Sequence, residues 1–174
     1  MTGATTVTRD GRTLTLERVF AASPDRLWHA LTDPDELMRW WGPPGYPVVH
    51  CTTDVRPGGV WHYCLRGLRT GREVWARAVY QDVVPPERLT YLECSSTPTG
   101  EITDERPGAF GTITLAPDGH GARFRAVLRW VDDLDRDRAL RAGVAEGFSA
   151  ALDLLQTHLD EAGSPHGPTD RPTP

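Results

Sequence analysis

The chain of 174 residues is long enough for one globular domain with a continuous apolar core, and it leaves little for a second. Its net charge of -5 and pI near 5.6, with acidic and basic residues mixed along the chain, leave no basic stripe that would bind a nucleic acid. No apolar run reaches the roughly 20 residues that a membrane-spanning helix needs, and the first ten residues lack the layout of a signal peptide. These features argue against nucleic-acid and membrane partners and predict a cytoplasmic protein.

The two ends of the chain differ in composition from its middle. Residues 1–10 are small and polar, and residues 163–174 are rich in Pro, Gly, Ser and Thr. Such segments bury too little apolar surface to offset the entropy lost on ordering. We therefore predict a flexible N-terminus over residues 1–10, a single domain over residues 11–162 and a disordered tail over residues 163–174.

Strand and helix signals alternate at the start of this domain. Apolar and polar residues alternate over residues 12–20, which predicts a strand. Ser23 followed by Pro24 is typical of a helix N-cap with proline at the first helical position. Asp33 repeats the signal, with an acidic residue three positions later, and predicts a second short helix that ends in two tryptophans.

The remainder of the domain is predicted as strands followed by one long helix. Turn-forming Gly, Pro and Asp residues separate six predicted strands, near residues 48–54, 60–66, 73–83, 88–94, 110–116 and 122–130. Their short connections favour antiparallel pairing. Apolar residues then recur with the period of an α-helix over residues 135–162. The predicted fold is α+β, a curved seven-stranded antiparallel sheet around a long C-terminal helix, with two short helices after strand one and a cavity between sheet and helix.

Several short motifs resemble those of a known superfamily. They are Arg18-Val19-Phe20, Ala22 to Trp28, Trp40-Trp41-Gly42-Pro43, Asp54 to Gly59, Val83 to Leu89 and Gly143 to Phe148. In this order, over about residues 12–160, they resemble the START-like, birch-pollen-allergen-like helix-grip superfamily (SRPBCC), within it the group named after the homologue of the heat-shock ATPase activator. The resemblance implies a helix-grip fold. Its members include lipid carriers, polyketide cyclases and aromatases, and stress-related binding proteins, so the resemblance leaves the activity open.

Large side chains on the faces predicted to point inward indicate a ligand pocket. Alternation along the third strand puts Trp61 and Tyr63 on one face. Trp40 and Trp41 lie about 100° apart around a helix, so one should pack in the core and the other border the cavity mouth. The alternative is that the pair only anchors the short helices to the sheet. The predicted ligand-binding residues are Trp40, Trp41, Trp61, Tyr63, Tyr91, Phe124, Phe148 and Leu152. We expect a monomer or homodimer that binds a small hydrophobic or aromatic molecule.

Three polar residues keep an enzymatic alternative open. Glu93 shares a strand face with Tyr91, and burial there would raise its pKa and suit it to general acid or base chemistry, although a solvated or Arg-paired glutamate is the competing interpretation. Tyr63 and His50 are further candidates for proton transfer. The alternatives are a polyketide cyclase/aromatase-like or hydrolase-like enzyme that uses polar groups of the cavity, and a chaperone-associated protein-binding module.

The cysteines give no support to a metal site or a disulfide framework. Cys51, Cys64 and Cys94 are odd in number and lack CxxC spacing, so we interpret them as small apolar fillers and predict no cofactor and no metal. A hairpin centred between Pro57 and Gly58 would nevertheless let Cys51 and Cys64 face each other as a redox pair.

Two glycines interrupt the predicted long helix. Gly143 and Gly147 lie one turn apart, and each costs a helix about 1 kcal/mol relative to alanine. Close packing of the helix on its neighbours is the favoured reason, and volume left for a ligand is the alternative.

Overall fold

The computed structural model of the chain describes residues 3–104, 106 and 108–163. Within these residues the strands are β1 (Thr6–Asp10), β2 (Thr13–Phe20), β3 (Val48–Thr53), β4 (Val60–Arg66), β5 (Glu73–Val84), β6 (Arg88–Ser95), β7 (Ala109–Asp118) and β8 (Gly121–Arg129). The helices are α1 (Pro24–Thr32), α2 (Pro34–Trp40), α3 (Asp133–Arg141) and α4 (Val144–Gly163). The strands form one antiparallel sheet in the order β1-β2-β8-β7-β6-β5-β4-β3. None of these helices is long and apolar enough to cross a bilayer.

The two short helices begin where their capping residues predict. Ser23 Oγ accepts a hydrogen bond from the N–H of Arg26 at 3.2 Å at the start of α1. Asp33 Oδ1 accepts from the N–H groups of Asp35 and Glu36 at 2.9 Å and 3.0 Å at the start of α2. Each cap satisfies donors that have no partner within the helix, and a proline at the next position fixes the helical φ angle.

The N-terminal segment is more ordered than its composition predicts. Thr6–Asp10 forms the edge strand β1, which pairs with β2 so that Thr6 lies opposite Glu17 and Asp10 opposite Thr13. Every residue of β1 is exposed, so the strand lacks the apolar alternation that identified the others. Backbone hydrogen bonds to β2 stabilise it instead. The prediction of a flexible segment over residues 1–10 is therefore wrong for Thr6–Asp10, and the sheet has eight strands rather than seven. The predicted tail lies, except for Gly163, outside the described residues.

The predicted long helix is divided into α3 and α4. Gly143 has a φ of +84° and its N–H donates to the carbonyl of Leu140 at 3.1 Å, as glycines do directly after a helix end. α3 buries no side chain, whereas α4 buries one face of apolar residues. These are Ala145, Phe148, Ala151, Leu152, Leu155 and Leu159.

The core lies between α4 and one face of the sheet. Leu16 from β2, Phe124 from β8 and Leu152 from α4 are fully buried members of one apolar cluster. The rings of Phe20 and Phe124 meet edge to face, with centroids 6.1 Å apart. Because α4 buries its apolar face in this core, the core also determines how the rest of α4 is positioned over the sheet.

The pairing of β3 with β4 rules out a redox pair of Cys51 and Cys64. Thr53 lies opposite Trp61, which centres the hairpin on Pro57 and pairs Cys51 with Tyr63. Cys64 lies opposite His50 instead, so Cys51 and Cys64 lie on opposite faces of the sheet, and all three cysteines are free. Burial raises the pKa of the Cys51 thiol to about 11, which leaves little reactive thiolate.

Candidate functional site

A cavity of about 470 Å³ lies between the sheet and the helices α3 and α4. Its sheet wall comes from β4, β5, β6 and β8, and its other walls come from the segment after α2 and from the region where α3 meets α4. The lining residues are Trp41, Gly42, Pro43, Tyr63, Leu65, Val74, Tyr91, Glu93, Leu128, Ala139, Ala142, Gly143, Val144, Gly147, Phe148 and Ala151. The volume falls in the range that ligand pockets occupy.

Aromatic rings form much of the cavity wall. The ring of Trp41 lies 5.4 Å from that of Phe148 and 6.1 Å from that of Tyr63, with interplanar angles of 77° and 88°. Tyr91 lines the same space from β6. Such edge-to-face pairs stabilise one another by about 0.5–1.5 kcal/mol each beyond the effect of burial, so the wall is a rigid one.

The adjacent tryptophans have different roles. Trp40 is buried, and its indole N–H donates to the carbonyl of Ala30 at 2.9 Å, which fastens α2 to α1. Trp41 ends the helix and lines the cavity. This is the division into one core and one cavity residue that their spacing predicts.

Glu93 and Tyr63 form a polar pair within this apolar wall. The Tyr63 hydroxyl donates to Glu93 Oε2 at 2.9 Å across the width of β5. None of the described lining residues is an Arg, Lys or His, and Glu93 is the only carboxylate among them. The sequence therefore placed Glu93 correctly on the inner face, and the competing interpretation of an Arg-paired glutamate is wrong.

The surroundings of this pair raise the pKa values of both groups. Burial raises the pKa of the Glu93 carboxyl above its ordinary value of 4.5, and the hydrogen bond from Tyr63 offsets only part of that effect. Burial and the nearby Glu93 together raise the pKa of the Tyr63 hydroxyl well above its usual range. Glu93 can consequently donate or accept a proton, whereas Tyr63 acts as a hydrogen-bond donor.

Glycines at two positions near the cavity leave room for neighbouring side chains, and the sequence pattern indicated only one of them. Gly111 lies opposite Tyr91 in the sheet, and a Cβ at this position would lie 2.2 Å from the ring. Gly147 allows α4 to approach Pro43, whose Cβ would lie 3.4 Å from an added Cβ. Gly143 and Gly147 both line the cavity, so Gly147 provides the close approach to Pro43 and both glycines leave open volume.

Four of the eight predicted ligand-binding residues lie outside the cavity lining. Trp61 packs behind it, with its ring centroid 4.9 Å from that of Trp41 and 4.8 Å from that of Tyr63. Trp40, Phe124 and Leu152 are core residues. Trp41, Tyr63, Tyr91 and Phe148 are brought together in the lining. Among the missed residues, Val74 and Leu128 are isolated apolar positions without a distinctive sequence signal, whereas Pro43 belongs to the Trp40-Trp41-Gly42-Pro43 motif, which could have indicated it.

His50 lies on the opposite face of the sheet from the cavity. Its ring is 5.6 Å from that of His62 and 5.3 Å from that of Trp75, and His62 alternates with the inward-facing Trp61 and Tyr63. His50, a candidate for proton transfer, therefore does not face the cavity, because strand alternation directs it to the opposite face. Within the described residues no group of three His, Cys, Asp or Glu side chains could hold a metal ion.

Comparison with known proteins identifies the family and the fold. The family model described as "Activator of Hsp90 ATPase homolog 1-like protein" matches residues 21–160. Among curated proteins none matches this chain.

Several solved structures have the same fold. A protein from Mycobacterium smegmatis is 26% identical, with a TM-score of 0.80 over 91% of this chain and 97% of that one. A protein from Rhodobacter sphaeroides is 24% identical, with a TM-score of 0.81 over 91% of this chain and 99% of that one. A protein from Arthrobacter aurescens is 22% identical, with a TM-score of 0.82 over 95% of this chain and 98% of that one. The helix-grip architecture predicted from the sequence is thus confirmed.

Proposed function

The chain belongs to the family of activator of Hsp90 ATPase homolog 1-like proteins, and from that premise we propose that it binds a small apolar, aromatic molecule in the cavity between the sheet and helices α3 and α4. The observation that carries the proposal is a cavity of about 470 Å³ with aromatic walls and one polar pair, Glu93 and Tyr63. Pockets for small molecules combine apolar walls with a few polar groups that orient the ligand.

An enzymatic role is the second candidate, and the same pair favours it. A carboxyl whose pKa is raised by burial can act as a general acid while it holds its proton, and as a general base after ionisation. Tyr63 would hold the carboxyl in position through its hydrogen bond to Oε2. A cyclase-like or hydrolase-like reaction would require a rate that depends on pH and that Glu93→Gln abolishes.

A chaperone-associated docking role has less support. That role would be favoured by a small, closed cavity beside a large exposed apolar patch. The cavity instead has the volume of a ligand site, and its aromatic rings face inward rather than outward. The volume and the aromatic lining of the cavity therefore favour ligand binding over a docking role.

A fluorescence titration tests the binding proposal. N-phenyl-1-naphthylamine is an uncharged probe whose emission rises in apolar surroundings. Ala151 lines the cavity, while Ala150, its neighbour on α4, does not. We expect saturable binding to the unaltered chain, a loss of affinity of about tenfold or more in Ala151→Leu because the new side chain fills ligand volume, and little change in Ala150→Leu. Absent saturation in the unaltered chain, or equal losses in the two variants, would overturn the proposal.

A further inference from the structure

We propose that the cavity selects hydrophobic ligands that carry a protonated amine, with the ammonium group beside the Glu93 carboxylate and against the surrounding aromatic rings. This rests on the proposed binding function and names the chemical class of its ligand.

The charges of the cavity are the first support. Glu93 is the only carboxylate among the described lining residues, and no cationic side chain lies among them. Its Oε2 accepts the Tyr63 hydroxyl, but its Oε1 accepts no hydrogen bond from any described residue. The side chain is only half-buried, because it borders the cavity. One carboxylate oxygen is therefore available to a ligand donor.

The position of the Tyr63 hydroxyl is the second support. Its proton is already donated to Glu93, so it has none to offer a ligand carbonyl. That donation also favours the ionised form of Glu93, against the effect of burial. A neutral ligand would leave the carboxyl desolvated and without a counter-charge, whereas an ammonium ligand would supply the counter-charge and a charge-assisted hydrogen bond.

The aromatic walls are the third support. The faces of aromatic rings carry partial negative charge and attract cations whose centres lie within about 6 Å of the ring centroid. The ring centroid of Trp41 lies 6.1 Å from that of Tyr63 and 5.4 Å from that of Phe148. Tyr91 adds a fourth ring to the cavity wall. Aromatic rings that surround a cation are one arrangement by which proteins recognise organic ammonium groups. A ligand acid would meet repulsion from an ionised Glu93.

Three naphthalene derivatives of similar shape separate charge from apolar contact. Naphthalen-1-ylmethylamine is cationic at neutral pH, naphthalen-1-ylmethanol is neutral and naphthalene-1-carboxylate is anionic. Their dissociation constants are measured at neutral pH by isothermal titration calorimetry. For the unaltered chain we expect the amine to bind about tenfold or more tightly than the alcohol, and the carboxylate to bind most weakly.

Two variants attribute this preference to Glu93. Glu93→Gln keeps the shape and can still accept from Tyr63, so we expect it to weaken the amine about tenfold or more beyond any change in the affinity for the alcohol, and the amine to lose its advantage. Glu93→Asp keeps the charge, so the preference for the amine should persist at a reduced level.

The outcomes distinguish the two proposals. If the alcohol binds as tightly as the amine, or if Glu93→Gln weakens both ligands equally, the amine inference is overturned while the binding function stands. If none of the three compounds binds, the binding function fails and the inference falls with it.

Discussion

Glu93 determines the chemistry of the cavity at the cost of some stability. Its pKa is raised in the folded chain, chiefly by burial, so the unfolded chain ionises at lower pH than the folded one. The stability contributed by Glu93 is therefore complete below its ordinary pKa of 4.5 and declines as the pH rises through the folded-state value. Functional groups that are unfavourable for stability in this way are common at binding sites.

We expect Glu93→Gln to stabilise the protein at neutral pH. Glutamine cannot ionise and keeps an acceptor for Tyr63. The free energy of unfolding of the variant, minus that of the unaltered chain, should therefore increase from about pH 4 to about pH 7. Urea denaturation at a series of pH values measures this. A variant that becomes relatively less stable as the pH rises would show that Glu93 is ionised and stabilised in the fold.

Gly111 is the residue whose replacement should disturb the cavity most directly. A methyl group there would lie 2.2 Å from the ring of Tyr91, so the ring must move. We expect Gly111→Ala to lower the free energy of unfolding by about 1–3 kcal/mol, as overpacked sites do. Gly3→Ala, where an added Cβ meets no atom within 4 Å, is the control.

A double-mutant cycle checks the cause of that loss. In a Tyr91→Ala background the clash is absent, so Gly111→Ala should cost much less. Equal losses in both backgrounds, measured by chemical denaturation, would mean that backbone conformation rather than the Tyr91 ring requires glycine.

At the scale of the elements, one carboxylate joins α4 to the two short helices. Glu36 Oε2 on α2 accepts from Arg26 Nη1 on α1 at 2.7 Å and lies 3.0 Å from His158 Nε2 on α4. His158 is largely buried in this contact, with 14% of its side chain exposed. The network holds the C-terminal half of α4 over α1 and α2.

This network should make the stability of the fold decline in acid. Burial alone would raise the pKa of Glu36, but hydrogen bonds from Arg26 and His158, with the charge of Arg26, outweigh it and lower the pKa. A lowered folded-state pKa contributes stability that is complete above the unfolded value and is lost as the pH falls through the folded value. We expect the stability difference between the unaltered chain and Glu36→Gln to shrink below about pH 4.

Urea denaturation between neutral and acidic pH measures this difference. Glu161→Gln, at an exposed position of α4, controls for the removal of a carboxyl as such. A difference for Glu36→Gln that stays constant in acid would contradict the proposed role of the ion-pair network.

At the scale of the whole molecule, the antiparallel strands and the helix that packs on them could be predicted, but the extent of the cavity could not. Alternation placed Tyr63 and Glu93 on the inner face correctly. Alternation does not show how much of that face α4 covers. The position of α4 determines that Phe124 lies in the core whereas Tyr91 lines the cavity. The start of α4 is fixed by the backbone of Gly143, whose positive φ interrupts an otherwise continuous helical pattern.

Two other differences from the predictions concern β1 and β3, the strands at the two edges of the sheet. β1 has no buried face and was missed, because apolar alternation is the signal by which a strand is recognised. His50 lies on the edge strand β3, and only the pairing of β3 with β4 shows that it faces away from the cavity. Register is a long-range property, and a shift of one residue reverses every such assignment.

A crystal structure of the chain with naphthalen-1-ylmethylamine tests the central claim most directly, because it locates the ligand. We expect the naphthalene ring between Trp41, Tyr91 and Phe148, in the cavity that these residues line, and the amine nitrogen within hydrogen-bond distance of Glu93. A ligand bound elsewhere on the molecule, with the cavity empty, would contradict the proposal that this cavity is the binding site.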